Sequence, residues 1–205
     1  MLPLLTNAQD TTARFRSLTL TADLGAAVVQ FMDEYRSMYA FAADLQIRET
    51  TYAGIITGWQ KVDKAGEVFD YTSSGIFVKA DVKYDFLNKK DSDKTSIAYI
   101  SGRLAFSAFN QEARNIVLRN TYWGDKHFEL QKQNLNAIWL ELGGGIRADM
   151  FRHFMLGWNL HIRVMAKKPD YYLIPPHYIP GFGGGEETVV FGFEYTLSYR
   201  IPFAR

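Results

Sequence analysis

The chain has 205 residues, a length that fits one domain, and its formal net charge of +1 gives no electrostatic footprint for nucleic acid. It contains no cysteine, which excludes a disulfide framework and a thiolate zinc site. Hydrophobic residues make up 47% of the sequence, yet no run approaches the roughly 18 apolar residues of a membrane helix.

Residues 1–12 read as the tail of a signal peptide, because an apolar stretch is followed by small and polar residues. The mature chain is then expected to begin near Gln9 or Asp10 and to be exported. A short disordered arm is the alternative. Residues 13–205 are predicted to form a single barrel domain.

Three strands are predicted in the first part of the chain, at 15–26, 38–48 and 51–60. Apolar and polar side chains alternate in them, as they do when successive side chains point to opposite faces of a sheet. A connector at 27–37 and a polar loop at 61–73 are expected to follow the first and third strands.

Strands four to six are predicted at 74–86, 96–109 and 135–148. In the fourth, charged residues alternate with apolar ones, and no helix would sort charges in this way. A charged turn at 87–94 and a long loop at 110–134 are expected after the fourth and fifth strands.

The seventh strand is predicted from Phe154 to Val164, and the last strand, from Val189 to Phe203, has two distinct faces. Aromatic and aliphatic residues occupy every second position of the last strand, and mostly small, polar or charged residues occupy the others. An ordinary strand has about 5–6 residues, whereas a membrane-crossing strand needs roughly 9–11 tilted ones.

Eight strands, with long connections after the first, third, fifth and seventh, predict an eight-stranded antiparallel up-and-down transmembrane β-barrel. Bacterial outer-membrane barrels have long external loops and short periplasmic turns, so both termini are expected in the periplasm. The side chains of Val78, Val82, Leu140, Leu160 and Leu197 are then predicted to face lipid. A soluble sandwich or lipocalin-like barrel, with the two faces exchanged, is the alternative.

The lumen is predicted to hold a nearly neutral set of charges. An eight-stranded barrel is just wide enough for side chains to fill it. Because unpaired buried charges are costly, these groups are expected to pair with one another and close the lumen. The predicted network consists of Asp44, Arg48, Asp81, Arg103, Glu141, Arg147, Arg163, Glu194 and Arg200.

The loop at 167–187 is rich in proline, tyrosine and glycine and is the best candidate for a partner surface. Exposed aromatic clusters often mark such surfaces. A lid folded over the barrel mouth is an equally weighted alternative. The predicted contact residues are Tyr171, Tyr172, Ile174, Tyr178, Ile179 and Phe182.

A lipid-modifying enzyme would need a nucleophile, a base and an orienting carboxylate. His161, Ser198 and Glu194 share one predicted face, but a lumenal histidine more often only satisfies its hydrogen bonds. The four histidines are dispersed and give no metal spacing. The sequence therefore predicts no metal, cofactor or small-molecule substrate.

Several motifs in the middle and C-terminal parts of the chain carry a family resemblance. They are Ala43-Asp44 with Arg48, Gly75-Ile76-Phe77-Val78-Lys79, Trp139-Leu140-Glu141 with Gly144-Gly145-Ile146, Gly157-Trp158 with Arg163, Tyr178-Ile179-Pro180-Gly181-Phe182, and residues 195–203. In these motifs the chain resembles an uncharacterised family of small outer-membrane β-barrel proteins from Bacteroidota. The resemblance implies an exported barrel and carries over no activity.

The function predicted from the sequence is structural or accessory rather than enzymatic. The protein is expected to contact outer-membrane lipid and other outer-membrane proteins within a larger assembly. A hydrolase or acyltransferase that modifies outer-membrane lipid is the alternative.

Overall fold

The structure, a computed structural model, describes residues 17–26, 35–65, 69–87, 96–118 and 126–203. The strands in these residues are β1 Ser17–Asp23, β2 Arg36–Gln46, β3 Thr51–Lys64, β4 Asp70–Asp85, β5 Ile97–Leu118, β6 Lys126–Phe151, β7 Phe154–Lys167, β8 Tyr178–Ile179, β9 Gly183–Gly184 and β10 Val189–Pro202. Eight of them close into a barrel in the order β1-β10-β7-β6-β5-β4-β3-β2, while β8 and β9 form a separate small sheet. All neighbours in the barrel are antiparallel, so the predicted eight-stranded up-and-down barrel is confirmed.

The barrel has two different ends. The β3–β4 connection, the β5–β6 hairpin and the segment 168–188 lie at one end, termed the loop end. The short β2–β3 and β6–β7 turns lie at the other, the turn end, where β1 begins and β10 finishes. Among the described residues, no helix is long and apolar enough to cross a membrane.

The strand register sets the tilt of the strands. Directly opposed residues lead from Arg200 of β10 through Thr19 of β1 and onward around the barrel to Arg163 of β7, which opposes Val190 of β10. The path therefore returns to β10 displaced by ten residues, from position 200 to position 190. Closing a sheet into a barrel requires such a stagger, together with strand tilt.

The outer face of the barrel is apolar. Every second side chain of the strands points outward, and many of these outward side chains are large, apolar and exposed. Between 56% and 72% of the surface is exposed for Phe41, Ile55, Leu104, Leu142, Leu160 and Phe193. Aromatic side chains mark both borders of this belt: Tyr39 stacks on Trp59 near the loop end, and Phe154 packs against Tyr199 near the turn end. Such a continuous apolar belt is unusual for a soluble monomer, whose contiguous apolar patches rarely exceed a few hundred Å².

The interior is filled in layers. A cluster of buried apolar side chains lies at the loop end, and includes Met38, Ile56, Phe77, Phe109, Trp139, Ile179 and Phe182. Charged side chains occupy the middle of the barrel. Tyr52, Ile97 and Tyr99 form a smaller cluster at the turn end.

Strand lengths differ from the prediction at the loop end. The predicted loop at 61–73 is wrong, because β3 continues to Lys64 and β4 already begins at Asp70. The predicted loop at 110–134 is also wrong, since β5 and β6 continue as a hairpin to Leu118 and from Lys126. This hairpin extends beyond the apolar belt, so its outward residues are polar, and register shifts between Gln111 and Ile116 break the alternation that marks the other strands.

Smaller differences concern the first two strands. β1 ends at Asp23 rather than at residue 26. After Asp23 the chain turns, and the Ala26 amide donates to Asp23 Oδ1 at 3.2 Å. β2 ends at Gln46, so the placement of Arg48 in a strand is wrong: it lies exposed in the β2–β3 turn. Residues 1–16, 27–34 and 88–95 lie outside the described residues, and with them the signal-peptide prediction, most of the predicted connector and most of the charged turn.

Candidate functional site

The barrel register brings the predicted lumen charges into one row. Asp44 opposes Gly54, which opposes Asp81 on the next strand. The row continues through directly opposed positions on three further strands, namely Arg103, Glu141 and Arg163. Charges spread over 120 residues of sequence are therefore lateral neighbours, which lets them pair across the lumen.

Two carboxylates organise the pairing. On the turn-end side, Asp44 accepts from Lys83 Nζ at 2.6 Å and from Arg147 Nη2 at 2.7 Å. On the loop-end side, Glu141 accepts from Lys79 Nζ at 2.7 Å and from Arg103 Nη1 at 3.1 Å.

Further contacts complete the loop-end half. Glu141 also accepts from the indole Nε1 of Trp139 at 2.8 Å and lies 3.4 Å from Arg163 Nε. Glu194 pairs with Arg103 at 3.0 Å and accepts from Asn159 Nδ2 at 3.2 Å. Asn159 in turn accepts a short hydrogen bond from the Tyr99 hydroxyl.

Asp81 joins the two halves into one system. Its Oδ2 lies 2.5 Å from Lys83 Nζ and 3.4 Å from Arg103 Nε. The lumen network, as the term is used below, comprises Asp44, Lys79, Asp81, Lys83, Arg103, Glu141, Arg147, Arg163 and Glu194. All of its ion-paired side chains are at most 12% exposed. Paired charges avoid the several kcal/mol that each isolated ion would cost in a low-dielectric interior.

The network leaves little free space. A cavity of about 30 Å³ borders it near Thr21, Asp23 and Thr196, which is room for roughly two water molecules. With apolar clusters above and below, the described part of the lumen is closed to solutes.

Two predicted network members lie elsewhere. Arg200 points inward at the turn end and donates from Nη2 to the Tyr52 hydroxyl at 3.3 Å, away from the carboxylates of the row. Arg48 is exposed in the β2–β3 turn, so its predicted position in the lumen is wrong. The sequence indicates a turn at this point, because Ile47 and Arg48 adjoin Glu49-Thr50. In the structure the Ile47 and Arg48 amides both donate to the Thr51 carbonyl oxygen across this tight turn.

Only part of the catalytic constellation considered from the sequence is assembled: His161 Nε2 lies 3.7 Å from Glu194 Oε1, but Ser198 is remote from both. His161 opposes Gly192 on β10, whereas Ser198 lies six positions further along that strand. At roughly 3.3 Å per residue this separates the two side chains by about 20 Å. Ser198 Oγ is hydrogen-bonded to Thr21 at 2.9 Å, and His161 Nε2 to Arg163 at 2.8 Å. In the part of the chain that the structure describes, no group of His, Asp or Glu side chains is placed to hold a metal ion.

Part of the predicted partner loop is folded into the barrel mouth. Ile179 and Phe182 are fully buried, so their prediction as partner contacts is wrong. Phe182 packs edge-on against Trp139, and its carbonyl accepts from Arg163 Nη1 at 2.5 Å. Gly181 has φ +76° and abuts the Phe77 ring, where a Cβ would lie 2.5 Å from Cγ. This mouth plug, residues 178–184, covers the lumen network.

A second part of the same loop points outward. Tyr171, Tyr172 and Leu173 are 48%, 72% and 64% exposed and are termed the exposed tip. Gln133 fixes the tip through two bonds, donating to Tyr172 O at 3.2 Å and accepting from Tyr172 N at 3.3 Å. Leu173 has φ +70°, a strained conformation for a residue other than glycine. The next residue, Ile174, packs against the small apolar cluster of the β5–β6 hairpin.

The described residues thus form a barrel with an ion-paired lumen and a mouth plug. The family model of a domain of unknown function, DUF6048, matches residues 5–205. The chain belongs to this DUF6048 family. No curated protein sequence matches it.

Two solved structures are among those similar to this DUF6048 domain. The N-terminal β-barrel domain of Pseudomonas aeruginosa OprF has 12% identity and a TM-score of 0.45, covering 91% of this chain and 98% of that chain. Neisserial surface protein A (NspA) has 13% identity and a TM-score of 0.43, covering 92% and 95%. No residue role is carried over from either protein to the DUF6048 domain.

Glu141→Leu tests the lumen network. The change leaves Lys79, Arg103 and Arg163 without their shared carboxylate, and we expect it to lower the free energy of unfolding by about 3–5 kcal/mol. Denaturant titration of the folded barrel in micelles measures this. Adding Lys79→Met removes one stranded cation and should restore part of the loss. A single variant as stable as the parent would contradict a structural role for the network.

Gly54→Ala tests the close packing around Asp44. A Cβ on Gly54 would collide with the Asp44 carboxylate and lie 2.9 Å from the Ala43 carbonyl oxygen. We expect a loss of about 1–3 kcal/mol in unfolding free energy from this overpacking. Gly102→Ala is the matched control, because its Cβ would meet only Leu142 Cδ2, at 3.9 Å. Equal stability of the two variants in the same titration would show that Asp44 does not require the glycine.

Proposed function

We propose that this protein is a closed integral β-barrel of the bacterial outer membrane that acts as a binding component of a larger assembly. The membrane location is supported by the apolar outer belt and its aromatic borders, the two features that mark the lipid-facing surface of outer-membrane barrels. In water, such a belt would leave side chains such as Phe191, 79% exposed, and Leu142, 72% exposed, fully hydrated.

The orientation follows from the two ends of the barrel. Outer-membrane barrels place longer loops outside the cell and short turns in the periplasm. The loop end, with the β5–β6 hairpin and the segment 168–188, therefore faces outward in this proposal. The start of β1 and the end of β10 lie on the periplasmic side.

A binding role is favoured by the single observation that the lumen is filled. Between the mouth plug and the Tyr52–Tyr99 cluster, nine charged side chains are locked in ion pairs. Such an interior neither conducts solutes nor presents reactive groups to them. Function is then carried by the outer surfaces, where aromatic residues held rigidly are typical contact anchors.

The exposed tip is the proposed contact for another outer-membrane component. Tyr171, Tyr172 and Leu173 offer apolar surface at the loop end, beyond the belt that contacts lipid. The two bonds from Gln133 hold the tip against the hairpin, so little conformational entropy is lost when a partner binds.

Reconstitution into planar bilayers tests the closed lumen. We expect no steady single-channel conductance, because the plug and the lumen network fill the barrel. The protein is added from detergent at concentrations that give insertion, which is verified by protease protection in the same preparation. Steady, large unitary currents would contradict the proposal.

Site-specific photo-crosslinking in intact cells tests the partner contact. A benzophenone amino acid at position 173 should give a discrete protein adduct, because Leu173 sits at the proposed contact. Position 131, an exposed glutamine on β6 of the same hairpin, is the matched control and should give none. The partner role would be contradicted by the absence of an adduct at both 173 and 171, or by equal adducts at 131.

A further inference from the structure

A groove of about 670 Å³ lies at the loop end, beside the mouth plug, which contributes Tyr178 and Gly184 to its lining. It runs between residues 174–178 and 184–187 on one side and Lys64, Phe69 and Tyr71 on the other. Its lining combines rings with charged groups and includes Lys64, Phe69, His177, Tyr178, Glu186 and Glu187. Both the volume and the mixed lining are typical of small-ligand sites, which range over about 300–1,000 Å³.

The walls of the groove are held by hydrogen bonds to the barrel strands. The Tyr71 hydroxyl donates to Gln111 Oε1 at 3.1 Å and accepts from the His177 amide at 3.1 Å. Gln111 Nε2 also donates to the Ile174 carbonyl at 3.0 Å, which fixes the start of the segment.

The opposite wall is equally constrained. The Gly185 amide donates to the His177 carbonyl at 3.2 Å, and the two strands of the loop meet at this point. Gly185 packs so closely against the Pro176 carbonyl that a Cβ there would collide with it. The groove is thus preformed, which lowers the entropic cost of filling it.

We propose that this groove binds a short neutral oligosaccharide at the outer surface. Sugar rings have apolar C–H faces, which pack on aromatic rings, and edges of hydroxyl groups that both donate and accept hydrogen bonds. Phe69 and Tyr178 supply ring surface at the groove. The exposed carboxylates of Glu186 and Glu187 accept hydrogen bonds from adjacent hydroxyls, and the Lys64 ammonium donates them.

The charges of the lining disfavour other ligand classes. Among the described lining residues two carboxylates stand against one ammonium, and the Arg36 guanidinium lies 4.9 Å from the Tyr178 ring, so the groove has little net charge with which to bind phosphate or another anion. A wholly apolar ligand would remove water from Lys64, Glu186 and Glu187 without replacing its hydrogen bonds. A neutral polyhydroxyl ligand covers the rings and satisfies the charged groups together.

Saturation-transfer difference NMR on the full-length folded protein in deuterated detergent tests the proposal. The probes are maltotriose, cellotriose and N-acetylchitotriose, each at millimolar concentration. We expect saturation transfer to at least one of them. Glu187→Ala and Phe69→Leu should each reduce that transfer at least threefold, because they remove a hydroxyl acceptor and a stacking ring. Glu129→Ala, the same change at an exposed position of the hairpin outside the groove, should leave it unchanged.

Folding of each variant is checked by the heat-dependent shift in gel mobility, so that loss of transfer reports on binding alone. Absence of transfer to all three sugars from the folded parent would overturn the proposal. Transfer that persists in both groove variants would overturn it as well. Trilysine serves as a cationic fourth probe, and saturation transfer to trilysine without transfer to any sugar would also overturn it. Leu173→Ala should leave sugar binding intact, which separates this proposal from the partner contact at the exposed tip.

Discussion

The structure depends on the pairing of charges that the barrel wall removes from water. A carboxylate or ammonium alone in this interior would cost several kcal/mol, and the strands supply both kinds of group at alternate positions. Asp81 shows how the requirement is met: it sits between Lys83 of its own strand and Arg103 of the next, and so links the turn-end and loop-end halves. The inward Gly54 opposite Asp44 leaves room for that carboxylate to turn toward its partners.

The same constraint explains which parts of the fold are readable from the sequence. Where a strand separates an apolar belt from a charged lumen, the alternation is strict, and shifting the register by one residue would exchange the two faces. β4 is the clearest case, with Lys79, Asp81 and Lys83 inside and Val78 and Val82 outside. The barrel, its strand number and most of the lumen network could therefore be predicted.

The alternation of apolar and polar residues does not predict the β5–β6 hairpin, the β2–β3 turn or the mouth plug. Above the apolar belt the outward residues of the β5–β6 hairpin are polar, and register shifts between Gln111 and Ile116 interrupt the alternation, so its strands resemble a loop in the sequence. The lumen position predicted for Arg48 is wrong because β2 ends at Gln46, two residues before the alternation does. The mouth plug depends on Phe182 reaching Trp139, a contact between residues 43 positions apart that no local pattern encodes. The sequence gives an indirect indication of the plug, since Phe77 and Trp139 are apolar residues at inward positions.

Because the lumen is filled, we look for function at the loop end. There the segment 168–188 forms the mouth plug, the exposed tip and one side of the groove. Residues 178–184 close the barrel mouth and bond to Arg163 and Gln60. The exposed tip lies on the outer side of the hairpin, and the groove lies between the segment and the start of β4. Because plug, tip and groove are anchored by hydrogen bonds to different strands, a change in one of them need not disturb the others.

The central claim is that alternate faces of each strand contact lipid and the closed lumen. Since the chain contains no cysteine, single cysteines can be placed at successive positions 138–147 of β6 and spin-labelled in lipid bilayers. Collision with oxygen, which concentrates in lipid, should then be high at positions such as 140, 142 and 146 and low at 139, 141 and 147. Collision with a water-soluble nickel chelate should be low throughout. Uniform accessibility along β6, or strong nickel collisions at 140 and 142, would contradict the account.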